Sequence, residues 1–142
     1  MVLATIAARA AIAVVASASL LGVWKLLSLA VLWRAKRAGS SDPVGLKGFA
    51  RGTPGFLIFS SPHCAPCVYA QKPAATKLYG DLGGAIQLIE IDVTEEPGLA
   101  ERYGVVSLPT VFLLDAAGNP RRVNHGLVST VELRRQIAPY LT

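Results

Sequence analysis

The chain contains two cysteines, Cys64 and Cys67, separated by an Ala-Pro dipeptide in the segment PHCAPC. Thiols at this spacing can share a metal ion, form a structural disulfide, or exchange disulfides with another molecule. A structural zinc site normally needs four ligands, and the chain adds only two histidines, His63 and His125. A structural disulfide here would close a loop of about four residues, which constrains the unfolded chain very little. Thiol–disulfide exchange is therefore the favoured chemistry.

The predicted local structure around Cys64 supports this chemistry. The apolar segment GFLIFS (Gly55–Ser60) predicts a strand buried on both faces, and the pattern after it predicts a helix over residues 64–82. At a helix start, unpaired amides and the helix dipole stabilise a thiolate. Cys67, one turn later, would lie on the same face and could attack a mixed disulfide formed by Cys64. Pro66 is tolerated because its missing amide would be unpaired there.

The other elements alternate between strand and helix, which predicts an α/β domain. Strands are predicted over residues 85–93 and 110–115, an antiparallel edge strand over residues 121–126, and a short helix over residues 97–104. Ser129 and Glu132 form a capping box for a last helix that ends near residue 141. A proline within the helix over residues 64–82, Pro73, predicts a kink there.

At this point the chain resembles the thioredoxin family. The segment CAPC is similar to that family's Cys-Gly-Pro-Cys, and the resemblance covers roughly residues 52–142. Further residues fall at the family's spacing: Ile91, Asp92, Pro97, Gly98, Tyr103, Gly104, Pro109, Thr110 and Gly126. The resemblance implies a thioredoxin-like α/β fold, with a central mixed sheet flanked by helices and a shortened N-terminal part.

The resemblance also implies roles for residues outside the cysteine pair. Pro109 matches the family's cis-proline, and the preceding Leu108 would offer backbone hydrogen bonds to a substrate. An ordinary trans proline at the start of a strand is the alternative. Ala65 and Pro66 would support substrate binding between the cysteines. His63 replaces the family's tryptophan; it is either a surface residue or a group that stabilises the Cys64 thiolate.

Two departures from the family concern the surroundings of Cys67. The family's buried Asp–Lys pair corresponds to Ile58 and Leu88, which are both apolar. Replacing both members of a buried pair can be neutral, whereas losing one is costly, so the joint change indicates a rearranged site. The proton acceptor of Cys67 is then open: water, His63 or the substrate. In addition, Pro73 follows Cys67 by six residues instead of five.

An apolar segment without acidic residues covers residues 10–33. At about 1.5 Å per residue, a helix of this length crosses a hydrocarbon layer of about 30 Å. A cleaved signal peptide and a buried core helix are the alternatives. The segment ends at Trp33 and is followed by RAKR, which favours a retained membrane anchor. Within it, Lys25 either reaches the membrane surface or meets a polar group of an integral membrane partner.

The charge distribution separates the two ends of the chain. Residues 1–37 contain five basic residues and no acidic one, and residues 38–142 contain nine of each. A nucleic-acid-binding protein would have the basic excess on its folded domain, so this class is excluded. We predict an anchor over residues 1–37, a Gly/Ser/Pro-rich linker over residues 38–54 and a thioredoxin-like domain over residues 55–142. More basic residues follow the apolar segment than precede it, which predicts a cytoplasmic domain, with an extracytoplasmic domain as the alternative.

These observations predict a thiol–disulfide oxidoreductase at the cell membrane. Its partners would be a disulfide-containing protein or small thiol, an upstream thiol reductant and, near Lys25, an integral membrane protein. No metal or cofactor is expected. The Ala-Pro dipeptide is closer to reductase patterns than to those of strong oxidants. A binding or scaffold module without turnover and an extracytoplasmic oxidase or reductase are the alternatives.

Overall fold

A computed structural model of the chain describes residues 2–40, 46 and 48–141. The chain divides into two compact units, Met1–Ala30 and Val31–Thr142. Helix α1 spans Val2–Ser40. Within it, Ala13–Arg34 has a mean hydropathy of 1.9 and is long and apolar enough to cross a membrane, by length and composition alone. A signal sequence would have the same properties.

The predicted linker over residues 38–54 lies partly outside the described residues, which omit 41–45 and 47. The part nearest the domain is attached to it. Leu46 is buried in one half of the core, and Phe49 packs against the same half. The Gln87 side-chain amide donates to the Ala50 carbonyl and accepts from the Ala50 amide, both at 2.9 Å. The domain boundaries at residues 37 and 54 remain predictions.

A four-stranded mixed sheet forms the centre of the second unit, in the order β2-β1-β3-β4. Its strands are β1 (Gly55–Ser60), β2 (Gln87–Asp92), β3 (Thr110–Leu114) and β4 (Pro120–His125). Strands β1 and β2 are parallel, whereas β3 is antiparallel to both β1 and β4. Among the described residues, no strand precedes β1. The predicted mixed sheet with a shortened N-terminal part is confirmed.

Strand β1 is buried along its whole length, as its continuous apolar pattern predicted. Leu57 and Phe59 belong to the half of the core that includes helix α3 (Pro97–Tyr103). Phe56 and Ile58 belong to the other half, which contains residues of α2 (Lys72–Leu82) and α4 (Thr130–Ile137). Because side chains alternate along a strand, the two halves lie on opposite faces of the sheet. The predicted arrangement of a sheet flanked by helices is confirmed.

The predicted helices form with the expected end signals. Helix α3 begins at Pro97 and ends before Gly104, whose φ of 68° is the left-handed conformation that glycine adopts most easily. Ser129 caps α4 by accepting the Glu132 amide at 3.3 Å. The Glu132 carboxylate is bonded to Arg135 and Gln136. A short 3₁₀ turn, Ala138–Tyr140, follows α4 and replaces the end of the predicted helix.

The helical segment after β1 contains an irregular turn. Ala65 and Pro66 are helical, Cys67–Gln71 forms a π-helical turn, called the π-turn below, and α2 begins at Lys72. The Lys72 amide donates to the Cys67 carbonyl, five residues back. The irregularity that Pro73 predicted therefore takes the form of a π-turn, and Pro73 lies in the first turn of α2. This turn also accommodates the one additional residue between Cys67 and Pro73.

Candidate active site

Cys64 and Cys67 lie just beyond the carboxyl end of β1, where the chain turns into the helical segment. The Cys64 amide donates to the Ser61 carbonyl at 3.0 Å, and the Val68 amide donates to the Cys64 carbonyl at 3.1 Å. A disulfide joins the two cysteines, whose Cα atoms are 5.3 Å apart. The strand-then-helix setting predicted for the pair is present.

The two sulfur atoms have different surroundings. Cys64 is half-buried, and its sulfur accepts a hydrogen bond from the Cys67 amide at 3.3 Å. Cys67 is only 2% exposed and lies against the sheet. An amide donor at a helix start stabilises negative charge on the sulfur it contacts. The geometry therefore favours Cys64 as the sulfur that meets another molecule.

The loop before β3 contains the predicted proline. The Leu108–Pro109 peptide bond is cis, as the resemblance implied, and the Pro109 carbonyl accepts the Gly126 amide at 2.8 Å. Pro109 is buried and Leu108 is half-buried. The substrate-binding role of these two residues remains a prediction, as does that of Ala65 and Pro66, which are exposed.

His63 is exposed in the turn before Cys64, and its amide donates to the Ser61 hydroxyl at 3.2 Å. Its imidazole is close enough to Asp92 to interact electrostatically. The Thr94 hydroxyl and amide donate to the Asp92 carboxylate and, with a smaller contribution from the charge of His63, lower the pKa of Asp92. The proposed effect of His63 on the Cys64 thiolate is a prediction that these contacts leave untested.

The two family positions behind Cys67 contain no ion pair. Ile58 is 6% exposed, and Leu88 packs against the same half of the core. An ion pair instead joins Glu90 and Lys72, with 3.0 Å between the carboxylate oxygen and the ammonium nitrogen. Ser60 donates its hydroxyl to the same carboxylate at 2.9 Å.

Sequence reasoning missed this group of Ser60, Lys72 and Glu90. One available signal was the acidic Glu90 two residues after Leu88, since alternate residues of a strand share a face. The identity of its partner could not be read locally, because Lys72 lies on α2 and Ser60 on β1.

Gln71 is a second feature that sequence reasoning missed. It is the last residue of the π-turn and is fully buried. Its side-chain amide accepts the Val128 amide at 2.8 Å and donates to the Val128 carbonyl at 3.3 Å. The π-turn is thereby bonded to the segment that follows Gly126. Among the described residues, no group of three His, Cys, Asp or Glu side chains is placed to hold a metal ion.

A mixed sheet, a cysteine pair at the carboxyl end of β1 and a cis-proline before β3 define the class of thioredoxin-fold proteins. The thioredoxin family model matches residues 52–138, which is more than half of the chain. The chain belongs to the thioredoxin family.

Individual relatives agree with this assignment. The thioredoxin of Bacillus subtilis is 36% identical over 56 residues, covering 39% of this chain and 53% of that protein. The chloroplastic thioredoxin M4 of Arabidopsis thaliana is 31% identical over 88 residues, covering 62% of this chain and 45% of that protein. The chain thus spans about half the length of the curated relatives it matches. Thioredoxin-2 of the malaria parasite, described as a component of its protein secretion machinery, is 29% identical with a TM-score of 0.58, covering 61% of this chain and 82% of that structure.

Proposed function

We propose that this chain is a membrane-tethered thiol–disulfide oxidoreductase with Cys64 as nucleophile and Cys67 as resolving thiol. One observation carries the proposal: the half-buried Cys64 sulfur accepts the Cys67 amide at a helix start, and its disulfide partner is buried. An accessible, stabilised thiolate attacks disulfides, whereas a buried thiol three residues away reacts mainly with its neighbour.

The reaction begins with the reduced pair. The Cys64 thiolate attacks one sulfur of a substrate disulfide, whose bond breaks and releases the other sulfur as a thiolate. The Cys67 thiolate then attacks the Cys64 sulfur, and the second substrate sulfur leaves. Two electrons have passed to the substrate, and the chain holds the Cys64–Cys67 disulfide. An upstream thiol reductant restores the reduced pair.

The substrate is a disulfide-containing protein or a small thiol disulfide. Its chain would lie beside Cys64, along the exposed His63, Ala65 and Pro66. Leu108, before the cis-Pro109, would supply backbone hydrogen bonds that orient it. We favour reduction over oxidation because of the Ala-Pro dipeptide between the cysteines.

Membrane tethering rests on α1, whose Ala13–Arg34 segment has the length and hydropathy of a membrane span. The basic residues that follow this segment favour a cytoplasmic domain. Lys25, within the segment, either reaches the membrane surface or contacts an integral membrane partner.

Cysteine variants of the full chain in detergent micelles test the proposed chemistry. With dithiothreitol as electron donor, the wild-type chain is expected to accelerate insulin reduction. Cys64→Ser should lower this activity at least about a hundredfold, since the accessible nucleophile is lost and Cys67 is buried. Cys67→Ser, reduced beforehand and mixed with insulin in the absence of dithiothreitol, should instead accumulate a disulfide-linked substrate, because the mixed disulfide is formed but not resolved. Turbidity and non-reducing gels measure the two outcomes.

The two variants also distinguish turnover from binding alone. Two results together would contradict the proposed oxidoreductase activity. The wild-type chain would not accelerate insulin reduction, and the Cys67→Ser chain would trap no disulfide-linked protein in cells. Those results would identify a binding module.

A further inference from the structure

A cavity of about 130 Å³ lies on the face of the sheet that α2 covers. We call it the inner cavity; it is lined by Ile58, Ser60, Cys67, Lys72, Leu88 and Glu90, among others. A water molecule needs roughly 10–15 Å³ of such space and two or more polar partners. The inner cavity therefore has room for several water molecules between the buried Cys67 and its polar lining residues.

Glu90 is held on the wall of the inner cavity by two partners. Ser60 donates to one carboxylate oxygen at 2.9 Å, and the ammonium group of Lys72 lies 3.0 Å from the other. Lys72 directly follows the π-turn that begins at Cys67, so the lysine and the thiol are on one continuous helical segment. The Glu90 carboxylate thus contacts two different elements, β1 through Ser60 and α2 through Lys72, although the exposed Lys72 pair is a weak restraint.

Glu90 also faces a second, larger cavity of about 400 Å³ that opens towards solvent. We call it the outer cavity; its lining includes Ser60, Pro62, Val68, Lys72, Glu90 and Asp92. The side chain of Glu90 is 42% exposed. A proton that reaches Glu90 from the inner cavity can therefore pass to bulk water. Two charged groups share the outer cavity with Glu90, namely Lys72 from α2 and Asp92 from β2, and His63 interacts electrostatically with Asp92.

We propose that Glu90 accepts the Cys67 proton during the resolving step, through water in the inner cavity, and that Ser60 and Lys72 position it. This inference rests on the proposed oxidoreductase function. The Cys67 proton passes to the Glu90 carboxylate, and the resulting thiolate attacks the Cys64 sulfur. The bond between Cys64 and the substrate sulfur breaks, and the departing substrate thiolate takes up a proton from Glu90 or solvent. Ile58 and Leu88 provide no acceptor, so Glu90 is the carboxylate on this cavity wall.

The test separates the attack by Cys64 from the attack by Cys67. The reduced full chain in detergent is mixed with excess dithiobis(nitrobenzoate), and release of the coloured thiolate is followed by stopped flow. The first phase reports attack by Cys64 and depends on reagent concentration. The second phase reports resolution by Cys67 and is independent of it. Cys67→Ser should abolish the second phase only, which verifies the assignment.

Glu90→Gln should slow the second phase about a hundredfold at pH 7, the low end of general-base effects, and leave the first phase within about twofold. The difference in second-phase rate between Glu90→Gln and wild type should shrink as the pH rises, because hydroxide then removes the Cys67 proton without help from Glu90. Glu90→Asp, which keeps the carboxylate, should slow the second phase less than Glu90→Gln. Asp92→Asn is the matched control. Asp92 lies on the same strand as Glu90, but its carboxylate lines the outer cavity and not the inner one. The second phase of this variant should stay within about twofold of wild type.

Three results would overturn the inference. In the first, the second phase of Glu90→Gln is as fast as that of wild type. In the second, Glu90→Gln slows this phase by the same factor at every pH. In the third, Asp92→Asn slows the second phase as much as Glu90→Gln does. A wild-type chain without a second phase would contradict the oxidoreductase itself and, with it, this role of Glu90.

Discussion

The two cysteines have different surroundings, which agree with the different roles proposed for them. Cys64 is half-buried and receives an amide hydrogen bond, both of which favour a reactive thiolate. Cys67 is buried next to Ile58, and an apolar environment disfavours the charged form of a thiol. In the proposed mechanism, Cys64 therefore needs little assistance as the nucleophile, whereas Cys67 as the resolving thiol needs a group that accepts its proton. This asymmetry makes the polar residues near Cys67 relevant to the reaction.

Asp115, far from the cysteines in sequence, provides a test of stability at the level of one residue. Burial alone would raise the pKa of Asp115, but hydrogen bonds from Asn119 and Arg121 outweigh it and lower the pKa below 3.8. Its oxygens accept the Asn119 amide at 2.8 Å and Arg121 Nε at 2.7 Å. A lowered folded-state pKa means that the ionised form stabilises the fold above the unfolded-state pKa, and that this contribution is lost as the pH falls through the folded-state pKa.

We predict that Asp115→Asn lowers the free energy of unfolding by about 1–3 kcal/mol at pH 7, since it removes hydrogen bonds to a charged group. The difference from wild type should shrink as the pH falls below 3.8 towards the lowered folded-state pKa, where folded wild-type Asp115 also becomes neutral. Urea unfolding at pH 7 and below pH 3.8 measures this difference in the free energy of unfolding. Unfolding is followed by near-ultraviolet circular dichroism, which reports the packed rings of Phe59, Tyr103 and Phe112.

Asp81→Asn serves as the control for this measurement. Asp81 also pairs with an arginine, Arg134, at 2.6 Å, but both side chains are more than 40% exposed. Exposed pairs contribute about 0–1 kcal/mol, so this variant should remain close to wild type. Equal losses from Asp81→Asn and Asp115→Asn would contradict the assignment of stability to the bonds of Asp115.

At the scale of elements, the sequence predicts those features of a helix or strand that depend on residues adjacent in the chain. The continuous apolar pattern identifies β1 as a strand buried on both faces, and Pro97 and Gly104 identify the ends of α3, because these are local preferences of the chain. Strand β2 is shorter than predicted, since residues 83–85 form a 3₁₀ turn. The cysteine pair is predicted for the same reason, by its position between a strand and a helix start.

The π-turn and the Glu90 site depend on contacts distant in sequence and could not be predicted. An additional residue after Cys67 is compatible with a kink, a longer loop or a π-turn. In the fold, Gln71 bonds to Val128, which is 57 residues away. Glu90 likewise finds its partners on β1 and α2. Tertiary contacts of this kind decide between local alternatives of similar energy.

Gln71→Leu tests the role of the π-turn as an element. The substitution keeps most of the side-chain volume but leaves the buried amide and carbonyl of Val128 without partners. Each unsatisfied buried group costs about 1–3 kcal/mol, so we expect a loss of about 2–6 kcal/mol in the free energy of unfolding. The same urea experiment measures it.

Tyr69→Leu is the control within the π-turn. Tyr69 is 81% exposed, and substitutions at exposed positions usually change stability by less than about 0.5 kcal/mol. A Gln71→Leu chain as stable as the Tyr69→Leu chain would show that the bonds to Val128 contribute little to stability.

At the scale of the whole molecule, the basic excess and the most apolar segment both lie in the N-terminal part of the chain. The basic excess lies entirely within residues 1–37, and the segment with the properties of a membrane span, Ala13–Arg34, lies there too. The remaining residues have no net charge. A redox domain joined to an anchor would work at the membrane surface, where it meets membrane proteins at high local concentration.

The side of the membrane can be determined by labelling one cysteine from outside the cell. In the Cys67→Ser chain, Cys64 cannot form the internal disulfide. A brief treatment of the cells with a membrane-permeant thiol reductant, followed by its removal, releases any trapped substrate and leaves Cys64 available to a membrane-impermeant maleimide. The excess of basic residues after the span predicts no labelling in intact cells and full labelling after permeabilisation. A chain with Cys64→Ser, Cys67→Ser and Thr5→Cys, whose cysteine lies before the span, should show the opposite pattern of accessibility. Labelling of Cys64 in intact cells would place the domain outside, and a mature chain shorter by the apolar segment would identify a cleaved signal instead of an anchor.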